Sequence, residues 1–163
     1  MVKTLIMMRH GKSAYPDNVA DHARPLAPRG EREATLAGDW LRATQPPIDA
    51  VYCSTARRTR DTLAATGITA PTVFTDDIYD ADAPALIELI TLTDEAVSTL
   101  LMVGHVPGIP WTAYDLAANH DSEAAIELSR KFPTSALAVL TFGGEWAQLR
   151  QGVGELTHFH VPR

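Results

Sequence analysis

A single cysteine, Cys53, stands in the 163-residue chain, which excludes an internal disulfide and any zinc site built from several cysteines. The N-terminus leads straight into a strand pattern, with no charged segment, apolar core and cleavage site, so a cytoplasmic protein is expected. No apolar run reaches the roughly 20 residues that span a bilayer, and no membrane role is expected. Cations are in the minority, 14 Lys and Arg against 20 Asp and Glu, and a net charge of −6 argues against a general nucleic-acid binder. An anion site here has to be a local basic pocket on an acidic molecule. No repeat, low-complexity tract or linker divides the chain. Its length suits one domain, 1–163, with a sizeable core.

What is present alternates between two periodicities. Val2–Met8 reads as a buried strand that runs into Arg9-His10-Gly11-Lys12-Ser13. Residues 14–27 hold Pro16, Asp17, Asn18, Asp21 and Pro25 and read as a loop that carries Arg24. Pro28 opens a helix to about Ala43, poorly capped at Ala27, with Leu36, Trp40 and Leu41 as its apolar stripe. Asp49–Cys53 is the second strand, and Ser54-Thr55 are read as the cap of a helix to about Thr66. That helix carries Arg57 and Arg58 in its first turn, with Arg60 close behind, where cations are unfavourable unless an anion binds. Arg57 and Arg60 read as solvated; Arg58 shares a face with Thr62.

Pro71–Phe74 is a short third strand, followed by an acidic loop with Asp76, Asp77, Asp80 and Asp82 and a helix from Ala83 to Leu92. Thr99–Val103 is the fourth strand; it ends in Gly104-His105-Val106-Pro107-Gly108 and a helix to about Ala118. The pair Gly143-Gly144, between Ser135–Phe142 and Glu145–Gly152, reads as a hairpin turn. His158 and His160 with His120 have the composition of a metal site, but a frayed tail is the simpler reading. Strands alternating with helices predict a three-layer α/β/α sandwich.

Parallel strands point their C-terminal ends the same way, so Arg9, His10, Arg58 and His105 can meet over one crevice, with Arg24 leaning over them. Two guanidinium and two imidazole groups suit a tetrahedral dianion. No Ser or Cys nucleophile motif stands out, which leaves a neutral imidazole nitrogen to attack phosphorus and a phosphohistidine to be hydrolysed by water. Arginine takes the charge-clamping part that a metal plays elsewhere, so neither metal nor other cofactor is expected.

Arg9-His10-Gly11, then Ser54 with Arg58 and Thr62, then Gly104-His105-x-Pro107-Gly108 resemble the histidine phosphatase (phosphoglycerate mutase-like) superfamily. Asp21-x-x-Arg24-Pro25-Leu26 with Gly30, Phe132-Pro133-Thr134-Ser135-Ala136 and the short length look like its SixA-type branch, the phosphohistidine phosphatases. The resemblance implies His10 as the phosphorylated nucleophile. Arg9, Arg58 and His105 would be ligands of the phosphoryl oxygens, and Arg24 a further contact. It implies a mostly parallel sheet with one antiparallel strand from the final hairpin.

Two departures matter. Only about two dozen residues separate Thr75 from Thr99, too few for the capping insertion and Glu proton donor of larger members. Asp80, Asp21 and Asp17 are the substitutes on offer, and Val106 stands where Asn is common. An uncapped site favours a phosphorylated protein, such as a histidine phosphotransfer domain, because imidazole is a less demanding leaving group than an alkoxide. The alternatives are a small phosphorylated metabolite on the same scaffold, or a non-catalytic phosphate- or phosphohistidine-binding module.

Overall fold

A computed structural model describes all residues, Met1–Arg163. Strand β1 (Val2–Arg9) is buried on both faces: Leu5 and Met7 enter one core cluster and Ile6 and Met8 the other, all fully enclosed. This is why its sequence is continuously apolar rather than alternating. With β2 (Ala50–Ser54), β3 (Thr72–Thr75), β4 (Thr99–Gly104), β5 (Leu137–Gly143) and β6 (Glu155–His160) it forms one six-stranded sheet, ordered β3-β2-β4-β1-β5-β6. Strands β1 to β4 are parallel; β5 is antiparallel to β1 and to β6, so it alone runs against the other five.

Helices α1 (Pro28–Thr44) and α2 (Arg57–Thr66) cover one face, with Ala37, Leu41 and Leu63 in its core. Helices α3 (Ala83–Thr91), α4 (Gly108–Leu116) and α5 (Glu123–Arg130) cover the other through Leu86, Ile90, Ile109 and Leu128. The centre of the sheet is therefore a switch point. β1 and β4 are neighbours, yet α1 leaves β1 on one face and α4 leaves β4 on the other, opening a crevice at their C-terminal tips. No helix is long and apolar enough to cross a membrane.

Several sequence-based expectations need correction. The buried face of α1 is Gly30, Ala34, Ala37, Gly38 and Leu41; Leu36 is exposed and Trp40 half-buried, because small residues let the helix lie close against α2. Ser54 and Thr55 do not cap α2: its N-cap is Ala56, without a side-chain bond. Glu145–Gly152 is no strand. Glu145 and Gln148 close a capping box around a single 3-10 turn whose Trp146 is fully buried, and the return strand is Glu155–His160. The supposed tail is thus the edge strand β6, with His160 stacked on Trp40 at 4.3 Å. His120 stacks on Tyr114 instead, and no three His, Cys, Asp or Glu side chains converge as a metal would require. Helix α5, which the reading above leaves out, is capped by Ser122, whose hydroxyl accepts from the Ala125 amide at 3.2 Å.

Candidate active site

The turn after β1 is pinned on all sides. The His10 amide donates to the Gly104 carbonyl of β4 at 3.0 Å, and the His10 carbonyl accepts from the Ser135 amide, just before β5, at 3.0 Å. The Gly11 amide donates to Thr62 Oγ1 at 2.9 Å, and that hydroxyl donates to the Arg58 carbonyl at 2.7 Å, tying the turn to α2. A Cβ on Gly11 would come within 3.0 Å of both the Gly30 carbonyl and Ser135 Oγ; one on Gly30 would lie 2.2 Å from the Lys12 carbonyl. Glycine at position 11 thus answers to packing against Gly30 at the start of α1 and against Ser135.

His10 is buried, and its Nδ1 lies 2.7 Å from the Gly11 carbonyl oxygen. A carbonyl can only accept, so Nδ1 carries the proton and Nε2 keeps a lone pair. Burial pushes the imidazole pKa down to about 3, with the neighbouring His105, Arg58 and Arg9 adding to the effect against the Gly11 bond. His10 is consequently a neutral imidazole at physiological pH, with Nε2 unprotonated.

The second imidazole sits 5.3 Å away, ring centre to ring centre, at the tip of β4. His105 Nε2 is 2.8 Å from Ser54 Oγ, which already accepts from the Ala56 amide at 3.3 Å. Ser54 Oγ can either donate to Nε2 or accept from it, while the other ring nitrogen, Nδ1, is buried with no partner. Burial, then Arg58, lower its pKa to about 4. The bond to Ser54 orients the neutral ring.

Three arginines surround this pair. Arg9 donates from Nη1 to the Phe132 carbonyl at 2.9 Å. Arg58 gives Nη1 to the Asp21 carbonyl at 2.8 Å and Nη2 to the Asp21 carboxylate at 3.1 Å. Arg24 bonds Ser13 Oγ and Asp21, and its guanidinium lies over the Tyr15 ring at 4.0 Å. In each arginine the Nε is buried without a partner. All three, with His10, His105, Lys12, Ser13, Tyr15, Asp80, Val106 and Thr134, line one pocket of about 200 Å³. Three guanidinium groups and two imidazoles lining one cavity, with the Nε–H of each arginine left unpartnered, have the composition of an anion site, since buried donors are normally bonded.

The three acidic candidates separate. Asp21 accepts from Tyr79, Arg58 and Arg24, and these bonds, that from Tyr79 first, hold its carboxyl below the usual range. Asp21 is spent as a carboxylate orienting arginines and holds no proton to give. Asp17 is exposed in a turn and does not line the pocket. Asp80 lines it, on backbone with φ of 57°. The parts of Ser54, Tyr79 and Thr134 escaped the sequence reading, although Ser54 and Thr134 lie within segments singled out there; for Tyr79, one residue before Asp80, no local signal existed.

A sequence profile described as the histidine phosphatase superfamily (branch 1) matches residues 5–86. An uncharacterized protein of Mycobacterium tuberculosis is 53% identical over 158 residues, 96% of this chain and 100% of that one. The phosphohistidine phosphatase SixA of Escherichia coli is 28% identical over 143 residues, 84% of each chain. Among solved structures, one from Nakamurella multipartitia proposed to be a SixA phosphohistidine phosphatase superposes with a TM-score of 0.92 at 42% identity, covering 99% of this chain and 97% of that one. The protein histidine phosphatase SixA, solved with tungstate, gives 0.78 at 25% identity, covering 98% and 97%. The apex of a mostly parallel sheet, the paired imidazoles and these likenesses lead to one conclusion: the chain belongs to the histidine phosphatase superfamily, as a phosphatase of its SixA-type branch.

Proposed function

We propose that the protein removes phosphoryl groups from phosphohistidine on a partner protein through a phosphohistidine intermediate on its own His10. The observation that carries this reading is the convergence of Arg9, Arg24, Arg58 and His105 on one pocket with a neutral imidazole, His10, whose Nδ1 faces the Gly11 carbonyl and leaves Nε2 its lone pair. His10 Nε2 attacks phosphorus, and the bond from phosphorus to the partner's ring nitrogen breaks with its electron pair going to that nitrogen. Three guanidinium groups and the His105 N–H hold the charge on the equatorial oxygens, a task that asks for no metal ion. Water then attacks the same phosphorus, His10 Nε2 leaves with its electron pair, and inorganic phosphate departs.

The leaving group supports the substrate class. Asp80 is the one pocket-lining carboxyl, so assistance to a poor leaving alkoxide is thin. An imidazole leaving group takes its proton from water on its exposed far nitrogen and needs little help. The pocket, about 200 Å³, also falls below the roughly 300–1,000 Å³ of an ordinary small-molecule site. It accommodates the phosphoryl group and leaves its carrier outside. The test is to incubate the protein with a ³²P-labelled histidine phosphotransfer domain and follow release of phosphate, with rapid-quench capture of the enzyme-bound label. Phosphate release through an acid-labile, base-stable phosphoenzyme is expected; turnover of sugar phosphates with none of the phosphoprotein would reject the substrate class.

A further inference from the structure

Beside the phosphate pocket runs a second depression of about 410 Å³ between α4 and the end of α5. The two share their walls. Val106 lines both, and the segment that places Lys131 and Phe132 in the groove continues two residues on to Thr134 in the pocket. The Phe132 carbonyl is also the acceptor that holds Arg9. The groove is apolar and open: Val106 is 41% and Trp111 59% exposed, with Tyr114 half-buried beside them. Its polar rim is Ser129, Arg130 and Lys131, with no Asp or Glu among its residues, on a molecule of net charge −6.

We infer that this groove is where the protein carrying the phosphohistidine docks, seating an apolar side chain against Trp111 and Val106 with acidic residues facing Arg130 and Lys131. The inference rests on the proposed phosphohistidine reading and adds to it the chemistry of the partner's surface. A phosphoryl group held in the small pocket leaves its carrier at the mouth, and Val106 is the residue that mouth and groove have in common. An exposed tryptophan in an otherwise apolar depression is the usual anchor of a recognition surface. The basic rim selects for carboxylates and raises the encounter rate. A bare sugar phosphate has neither the apolar surface nor the extra negative charge to use it.

Two phosphohistidine peptides test this, one with Leu and Glu flanking the modified residue and one with Ser and Lys there. Phosphoramidate serves as the small phosphorus–nitrogen substrate. The wild-type protein is expected to show kcat/KM about 10-fold or more higher for the Leu/Glu peptide. Trp111→Ala should lower that value about 5- to 30-fold while leaving phosphoramidate hydrolysis within about twofold. The double change Arg130→Glu with Lys131→Glu should lower it several-fold and flatten its dependence on salt. Because Trp111 is exposed, its removal leaves the core intact, and phosphoramidate turnover serves as the fold control. Equal use of both peptides, or a preference that survives Trp111→Ala, overturns the docking inference while leaving the phosphohistidine reading in place. No turnover of either peptide or of phosphoramidate overturns that reading itself.

Discussion

The two ends of the sheet bury charge in opposite ways. At the N-terminal edge Lys3 is 3% exposed and saturated: its Nζ donates to the Glu95 carbonyl at 2.6 Å and the Val97 carbonyl at 2.8 Å, with the Glu95 carboxylate at 3.7 Å. Around it, Trp146 Nε1 also donates to Val97, and the Glu95 carboxylate accepts from the Trp146 and Ala147 amides. At the C-terminal tips, six residues from Lys3 along the same strand, Arg9 keeps a buried Nε with nothing to bind, as do Arg24, Arg58 and His105 Nδ1. A buried polar group left unmatched costs stability. A protein that pairs its buried charge at one end and leaves three arginine Nε atoms unpartnered at the other carries that cost where a ligand can repay it.

The comparison can be broken from either end. The largest effect is expected from His10→Ala, which should abolish turnover and the trapped phosphoenzyme while the protein stays folded; quench-flow with labelled substrate measures it. Arg58→Ala should lower kcat/KM by about 10²–10³-fold, the usual size for one preorganised charge-stabilising donor, with near-UV circular dichroism unchanged. Ser54→Ala removes the hydrogen bond that orients the His105 ring and should cost roughly 10-fold, with Ser54→Thr restoring most of it. Nitrogen-15 shifts of the His105 ring, altered in Ser54→Ala and restored in Ser54→Thr, separate loss of this bond from simple loss of packing.

Two measurements address stability. The folded protein keeps His10 and His105 neutral, with pKa values of about 3 and about 4, whereas in the unfolded chain both titrate near 6.5. Between these limits the unfolded state binds more protons, so stability should fall as pH drops below about 6.5, by on the order of several kcal/mol at pH 4. Denaturant titrations at pH 7, 5 and 4 read this, and His10→Ala should flatten the slope. The smallest effect belongs to the saturated end. Lys3→Met orphans the Glu95 carbonyl, the Val97 carbonyl keeping its bond from Trp146 Nε1, and should cost about 1–3 kcal/mol with kcat/KM unchanged. An equal loss of activity there would mean the two ends are not separate in function.

Much of the site was legible because its residues stand at strand ends, where a break in apolar patterning exposes them. Arg9-His10 after Val2–Met8 and His105 after Thr99–Val103 are such breaks. Arg58 was legible as a cation in the wrong half of a helix. The acidic partner was not: Asp17, Asp21 and Asp80 look alike in sequence, and only packing shows Asp21 spent on Arg58, Arg24 and Tyr79 while Asp80 reaches the pocket. Polar residues of loops carry no periodicity, so nothing local distinguishes one that orients from one that reacts. The misread hairpin has the same origin. Gly143-Gly144 signals a turn, but where the chain next pairs depends on Trp146 being buried, a contact with Val97 49 residues away.

The sequence by itself determined the period of each element, the three-layer class, and which side chains stand at the strand tips, since these follow from backbone geometry and local hydrophobic pattern. Tertiary structure decided the rest. The order β3-β2-β4-β1-β5-β6 sets β4 beside β1 and so makes neighbours of His10 and His105, ninety-five positions apart. It also set which nitrogen of His10 holds the proton, through the Gly11 carbonyl. Strand order is chosen by the burial of both sheet faces at once, a sum over the whole chain that no window of sequence contains.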